Sequence, residues 1–236
     1  MATFAFLFKR QLTMKTYLKS KLSMRQYELL RMAAFEFKRW KCRVTAPKKF
    51  ATELKQLQLG SGARPLKHWL NVDMIGSDLN LDIATGSLPF ADNQFDVIVS
   101  QHVIEHLTLE DEFLPLLKEC HRSLSEGGVI WLSTPDLEKV ARSYVDHKNE
   151  DMITDRQQRI PDWNMGSIPS QHFMNDIFHQ QLEHRNLFDL ELLTWCLTEA
   201  GFKNVQRTDE KDLVEAHPEI PMRNDDYQSI YVRATK

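Results

Sequence analysis

Cysteine is scarce in this chain: Cys42, Cys120 and Cys196 stand far apart among 236 residues and show no paired spacing. That excludes a disulfide framework and reads as reduced thiols in a cytoplasmic protein. Long apolar runs are missing too. None approaches the ~20 residues of a membrane span. The apolar stretch 2–8 is short, no charged region precedes it and no small-residue cleavage site follows, so a secretory signal peptide is not expected there. Internal repeats, low-complexity tracts and recognised RNA-binding modules are also lacking. What is present is ordinary for a globular chain: 42% hydrophobic and 27% charged residues, enough for a packed core without metal or disulfide staples. The length fits one sizeable domain plus an appendage.

Charge is unevenly placed. Residues 1–55 hold 14 Lys and Arg against 3 Asp and Glu, a balance of +11, whereas the remainder holds 16 against 30, a balance of −14. The basic arm either docks on its own acidic domain or meets anionic lipid headgroups or a polyanion. Within it, Leu22, Leu29, Ala33, Phe37 and Trp40 recur at helical steps, which predicts an amphipathic helix over 18–40 with Lys and Arg on the other face. Pro47 and the lysines after it mark a connector. The division expected is a basic helical extension over 1–50 and a main domain over 51–236.

The main domain alternates strands and helices. Strands are expected at 56–59, 70–73, 79–83, 95–100 and 129–133, then around Val205 and over 229–234. Phe113, Leu116, Leu117, Cys120 and Leu124 share one helical face, with Pro115 moving the first turn toward Glu112. Leu190, Leu193, Leu197 and Ala200 form another face, opened by Asp189 and closed by Gly201. This rhythm predicts an α/β fold with a mainly parallel sheet covered on both sides. The polar segment over about 136–188 interrupts the rhythm and reads as an irregular, lid-like insertion.

Open parallel sheets bind ligands beyond the carboxyl ends of their strands. The residues there are Gly60-Ser61-Gly62 after the first strand, Asp73 after the second, Asp82 after the third, and Gln101 and His102 after the fourth. Glycines let the backbone approach a ligand and present its amides. Asp73 suits ribose hydroxyls and Asp82 an adenine amino group. A lone Gly-x-Gly is a common tight turn, and its third glycine is missing here. The ordered set along the strand ends carries the inference.

Leu59-Gly60-Ser61-Gly62, Trp69-Leu70-Asn71-Val72-Asp73, Leu88-Pro89-Phe90 with Phe95-Asp96, the run 102–107 and Leu124-Ser125-Glu126-Gly127-Gly128 together resemble the type 11 group of class I S-adenosylmethionine-dependent methyltransferases. The resemblance is strong over about 57–135. It continues weakly through 184–189 and 200–202, and leaves 1–50 untouched. It implies a Rossmann-like, seven-stranded, mainly parallel sheet with its last strand antiparallel, and S-adenosylmethionine as cofactor. Gly60 and Gly62 would flank the methionine portion, Asp73 the ribose, and Asp82 with Ile83 the adenine, with Leu59, Ser61 and Met74 also among the cofactor-binding residues. Gln101 and His102 would lie near the sulfonium. Only ten residues separate Gly62 from Asp73, so the first crossover helix is expected to be very short or irregular.

Methyl transfer to a hydroxyl needs alignment and a base. Among His102, His106, His172 and His184, the expected catalytic pair is His184 and His102. His102, Glu105 and His106 also resemble the Glu-x-x-Glu-His run of metal-dependent O-methyltransferases, including small-RNA 2′-O-methyltransferases, with His102 in place of the first glutamate. No metal is assigned on that basis; Glu105 and His106 are taken to shape the strand-to-helix turn. The expected activity is O-methylation of a small molecule or saccharide by a cytoplasmic enzyme, with peripheral contact to an anionic membrane through residues 1–50. Its competitors are an RNA methyltransferase anchored by the basic arm and a non-catalytic scaffold that keeps the fold.

Overall fold

The computed structural model describes residues 21–180 and 183–236. Residues 1–20, which include the apolar stretch 2–8 and the start of the expected N-terminal helix, lie outside the described residues, as do 181 and 182. The chain divides into two compact units, 1–45 and 46–236.

The first unit holds helix α1 (Met24–Thr45). Ser23 and Gln26 cap its start reciprocally: the Ser23 amide donates to Gln26 Oε1 at 3.0 Å, and the Gln26 amide donates to Ser23 Oγ at 3.3 Å. Leu29, Phe37 and Trp40 lie exposed, as do Met24, Met32 and Val44. Phe37 and Trp40 stack with ring centroids 5.6 Å apart.

The second unit is a seven-stranded sheet. Its strands are β1 (Gln56–Leu59), β2 (Leu70–Asp73), β3 (Leu79–Asn80), β4 (Phe95–Gln101), β5 (Leu124–Pro135), β6 (Lys203–Thr208) and β7 (Ser229–Thr235), in spatial order β3-β2-β1-β4-β5-β7-β6. β7 runs antiparallel to both β5 and β6, and the pairs from β3 to β5 are parallel. The central strands are rich in Leu, Ile and Val because both sheet faces are covered. Leu57, Leu59, Val72, Phe95, Ile98 and Ile130 are fully buried in one core, and each such side chain contributes ~1.5–3 kcal/mol.

Three local departures from the sequence-based expectation have visible causes. β3 stops at Asn80 because Asp82 accepts from the Ala84 amide and caps a short 3-10 turn over Ile83–Thr85. β5 begins at Leu124, not Val129, because Leu124 already pairs with Phe95 across a register shift. Helix α2 (Leu114–Ser123) follows a π turn, and Pro115 sits in its first turn, where no amide hydrogen is required.

The segment after β5 is helical where an irregular chain was expected. It carries α3 (Leu137–His147), α4 (Glu150–Arg159) and α5 (His172–His179). Buried Asp136 starts α3 by accepting from the amides of Glu138 at 2.9 Å and Lys139 at 3.3 Å. Val140, Met152, Phe173 and Ile177 then form a small core of their own. Four apolar anchors spread over three short helices give no long periodic stretch to read. After it come α6 (Leu190–Glu199), capped by Asp189, and α7 (Glu210–Ala216). Among the described residues no helix is long and apolar enough to cross a membrane.

Candidate cofactor and acceptor site

The carboxyl ends of β1, β2 and β4 bring the candidate residues together. Gly60 leaves β1 with φ of +71°, and its amide donates to the Val72 carbonyl at 2.8 Å. A Cβ on Gly60 would lie 2.1 Å from Cγ2 of Val103. Glycine is therefore required twice, for the left-handed backbone and for the close approach. Gly62 has φ of +52° with open space where a side chain would stand. Its amide donates to Asp73 Oδ2 at 2.7 Å, and the Met74 amide donates to Asp73 Oδ1 at 2.6 Å. The Asp73 carboxylate thus closes the turn.

The β1–β2 crossover contains no helix. Two polar side chains on the strands hold it instead. Gln58 donates to the Arg64 carbonyl at 3.2 Å and accepts from the Leu66 amide at 3.2 Å. Buried Asn71 accepts from the same amide at 2.7 Å and donates to the carbonyls of Leu66 and Trp69. These contacts satisfy backbone groups that a crossover helix would have satisfied internally. Gln58 and Asn71 were passed over as ordinary strand residues; the signal was a polar side chain inside a short apolar strand.

A shallow open cleft lies beside the glycine turn, lined by Gln58, Gly60, Ser61, Arg64, Gln101 and Arg223 among others. Gln101 Nε2 is buried there without a hydrogen-bond partner, an orphaned donor of the kind a bound ligand satisfies. Leu59 and Ser61 are buried in the turn, and Asp82 and Ile83 are buried in the short turn after β3. The glycine cradle and the orphaned amide fit a nucleoside-type cofactor.

His102 follows β4 with φ of +55°. Its Nδ1 lies 3.2 Å from Glu105 Oε1, and its Nε2 lies 3.0 Å from Asp225 Oδ2 and 3.1 Å from Ser229 Oγ. Burial opposes its charge, but the hydrogen bonds to Asp225 and Glu105 outweigh burial and raise its pKa to about 9. His102 is an imidazolium at neutral pH, with both ring N–H groups engaged. Burial likewise opposes ionisation of Asp225, yet the His102 bond holds it well below the usual carboxylate range. Tyr231 and Arg223 also donate to Asp225, at 2.6 and 2.9 Å. Asp225 and Ser229 escaped the sequence reading because only the β5–β7 pairing, Pro135 opposite Ser229, brings them to His102.

His184 contrasts with His102. Its Nδ1 lies 2.6 Å from the Ile177 carbonyl, and its Nε2 is buried without a partner. Burial lowers its pKa, so it is neutral. The His106 ring lies edge-on to it at 4.8 Å between centroids. The amides of Arg185 and Asn186 donate to the Glu105 carbonyl at 2.8 and 3.1 Å, fastening this segment to the end of β4. His102, Glu105, His106 and His184 therefore form one contiguous cluster, while His172 stands exposed at the first residue of α5.

A family model described as a methyltransferase domain matches residues 26–207. Solved structures of similar fold include an S-adenosylmethionine-dependent methyltransferase from Mesorhizobium loti, 16% identical, covering 84% of this chain and 98% of that one at a TM-score of 0.43. One from Thermotoga maritima is 17% identical over 86% of this chain and 96% of that one, at 0.43. Phosphoethanolamine N-methyltransferase 2 of Haemonchus contortus, solved with phosphomonomethylethanolamine and S-adenosylhomocysteine, is 16% identical over 82% of this chain and 51% of that one, at 0.45. No curated protein matches the chain in sequence. The family match, which spans most of the chain, carries the weight.

Proposed function

Because the chain belongs to the methyltransferase domain family and is a class I S-adenosylmethionine-dependent methyltransferase, we propose that it methylates an oxygen of a small molecule or saccharide. The cofactor supplies an electrophilic methyl group on a sulfonium. The residues assigned to hold it are Leu59 to Gly62, Asp73, Met74, Asp82, Ile83 and Gln101, with His102 at the sulfonium end. The observation that supports an oxygen acceptor is the unpaired Nε2 of His184 beside the end of β4. A hydroxyl is a poor nucleophile until its proton has somewhere to go. In the metal-free enzyme that nitrogen receives the proton, because the Ile177 carbonyl fixes the other ring nitrogen as the N–H. His102 is a positioning residue in this scheme: its two N–H groups are committed to Glu105 and Asp225, so it orients Glu105 and takes up no proton. The helices over 137–179 cover the acceptor.

We further propose that α1 meets an anionic membrane surface. It carries six Lys and Arg against two Glu, and its exposed residues include Leu29, Phe37 and Trp40. Apolar side chains interleaved with cations suit a lipid interface better than a phosphodiester backbone, which favours this over an RNA partner.

The test is an unbiased product search with methyl-labelled cofactor and fractionated extract. Label in the small-molecule or saccharide fraction, held through an ether bond, is the expected result. Label confined to RNA or protein would overturn the assignment.

A further inference from the structure

We infer that Glu105, His106 and His184 form a binding site for one divalent first-row transition-metal ion of the zinc type. One ligand atom from each residue lies within 4.8 Å of those of the other two. Two of these groups are orphaned as they stand: Glu105 Oε2 and His184 Nε2 are buried with no hydrogen-bond partner. Glu105 is only 2% exposed. Buried polar atoms are almost always satisfied, so two orphans facing one cluster call for a common partner.

The second atom of every ligand is pinned in the way a metal site requires. His184 Nδ1 lies 2.6 Å from the Ile177 carbonyl, and His106 Nδ1 lies 3.2 Å from the Glu183 carbonyl. A carbonyl only accepts, so both Nδ1 atoms carry hydrogen and both Nε2 atoms keep their lone pairs. Glu105 Oε1 is held by His102 Nδ1 at 3.2 Å, which leaves Oε2, buried and without a partner, as its free ligand atom. Such outer contacts orient metal ligands and fix their tautomers. The Arg185 and Asn186 amides on the Glu105 carbonyl hold the two ligand-bearing segments together.

The donor set decides the ion. Two imidazoles and one carboxylate suit zinc, cobalt, manganese or iron, and are a poor match for calcium or magnesium, which take oxygen. Three protein ligands leave a position open. Metal–nitrogen bonds of about 2.0–2.1 Å place ligand atoms roughly 3.3 Å apart, so the cluster contracts on binding. His102 is excluded from the set because both its nitrogens are occupied by Asp225, Ser229 and Glu105. With the ion bound, His184 Nε2 is a ligand and no longer a proton acceptor. The proposal concerns the same cluster as the proposed function and, with the ion bound, takes away its proton acceptor; ion binding is read on the protein alone and does not depend on the reaction.

The experiment is calorimetric titration of the chelator-stripped full chain with Zn²⁺, repeated with Co²⁺ followed by visible absorption. One equivalent should bind, and Co²⁺ should show the d–d bands of nitrogen and oxygen ligation. His184→Ala and Glu105→Gln should each weaken binding at least tenfold, while His147→Ala, at an exposed position, should leave it unchanged. His106→Gln, at a partly exposed position, provides a variant that keeps the fold if Glu105→Gln does not. It should also lose the cobalt bands. Absence of a saturable single equivalent in the wild type, or unchanged binding in His106→Gln and His184→Ala, would overturn the site. Titrating the same stripped protein with S-adenosylmethionine separates this outcome from a failure of the methyltransferase assignment.

Discussion

Gly60 and Val103 are in contact through a space that no side chain on residue 60 can share: a Cβ there would come within 2.1 Å of Val103 Cγ2. Valine is β-branched and stiff, so it yields little. Gly60→Ala therefore carries two costs, overpacking of ~1–3 kcal/mol and a left-handed non-glycine residue at ~1–3 kcal/mol. The double variant Gly60→Ala with Val103→Ala should recover the packing cost and retain the conformational one. Urea unfolding of the two variants separates these contributions. Equal stability of the two would show that the contact with Val103 is not limiting.

The turn also depends on Asp73. Its two oxygens accept from the Gly62 and Met74 amides, and hydrogen bonds to a charged group contribute about 1.5–3 kcal/mol each. Asp73→Ala should weaken S-adenosylmethionine binding at least tenfold, ~1.4 kcal/mol, and loosen residues 60–64 before any ligand arrives. Calorimetry reads the first effect, and amide hydrogen exchange of the turn in the ligand-free protein reads the second. Weak binding with a turn still protected would assign Asp73 to the ligand alone.

The fold and the glycine turn with its acidic neighbour were legible in the sequence because both rest on local chemistry. Apolar runs such as Phe95 to Val99, the glycine turn and the acid after each strand are written within a few residues of one another. The Asp189 cap and Gly201 close follow the same logic. The contacts around His102 and His184 were not legible. His102 meets Asp225 across 123 positions of sequence, through strand pairing that no periodicity announces. His184 reaches Glu105 only because the amides of Arg185 and Asn186 dock on its carbonyl. The helices over 137–179 were hidden by polar composition: each has too few buried positions to form a stripe, and they are stable through one shared core.

Acid stability should report on Asp225. This residue is 3% exposed and accepts from His102, Tyr231 and Arg223. Its folded pKa is depressed below 3.8, so the stabilisation it gives is present above that pH and is lost as pH falls toward the folded value. Asp225→Asn removes one partner of a buried ion pair and should cost ~3–5 kcal/mol near neutral pH. It should also flatten the acid limb, because the variant has no such carboxylate left to protonate. Thermal unfolding from pH 7 down to about pH 3 makes the comparison. Parallel wild-type and variant curves over that range would remove the linkage.

The exposed face of α1 gives the last prediction. Phe37 and Trp40 stack on one another at 5.6 Å and are 62% and 57% exposed, an apolar pair that water solvates poorly. Burying such rings in a lipid interface while Arg25, Arg31, Lys38 and Lys41 meet headgroups uses both properties of the helix. Each cation near an anionic surface contributes ~1 kcal/mol, an effect that salt screens. The full chain should sediment with vesicles containing phosphatidylglycerol and stay in solution with phosphatidylcholine alone. Raising the salt should weaken binding, and Trp40→Asp with Phe37→Asp should weaken it further by removing the apolar part. A blue shift of tryptophan emission on adding the anionic vesicles, lost in Trp40→Phe, would place the indole in the interface. Equal sedimentation with the two vesicle types would reject charge recognition, and none with either would reject the membrane contact altogether.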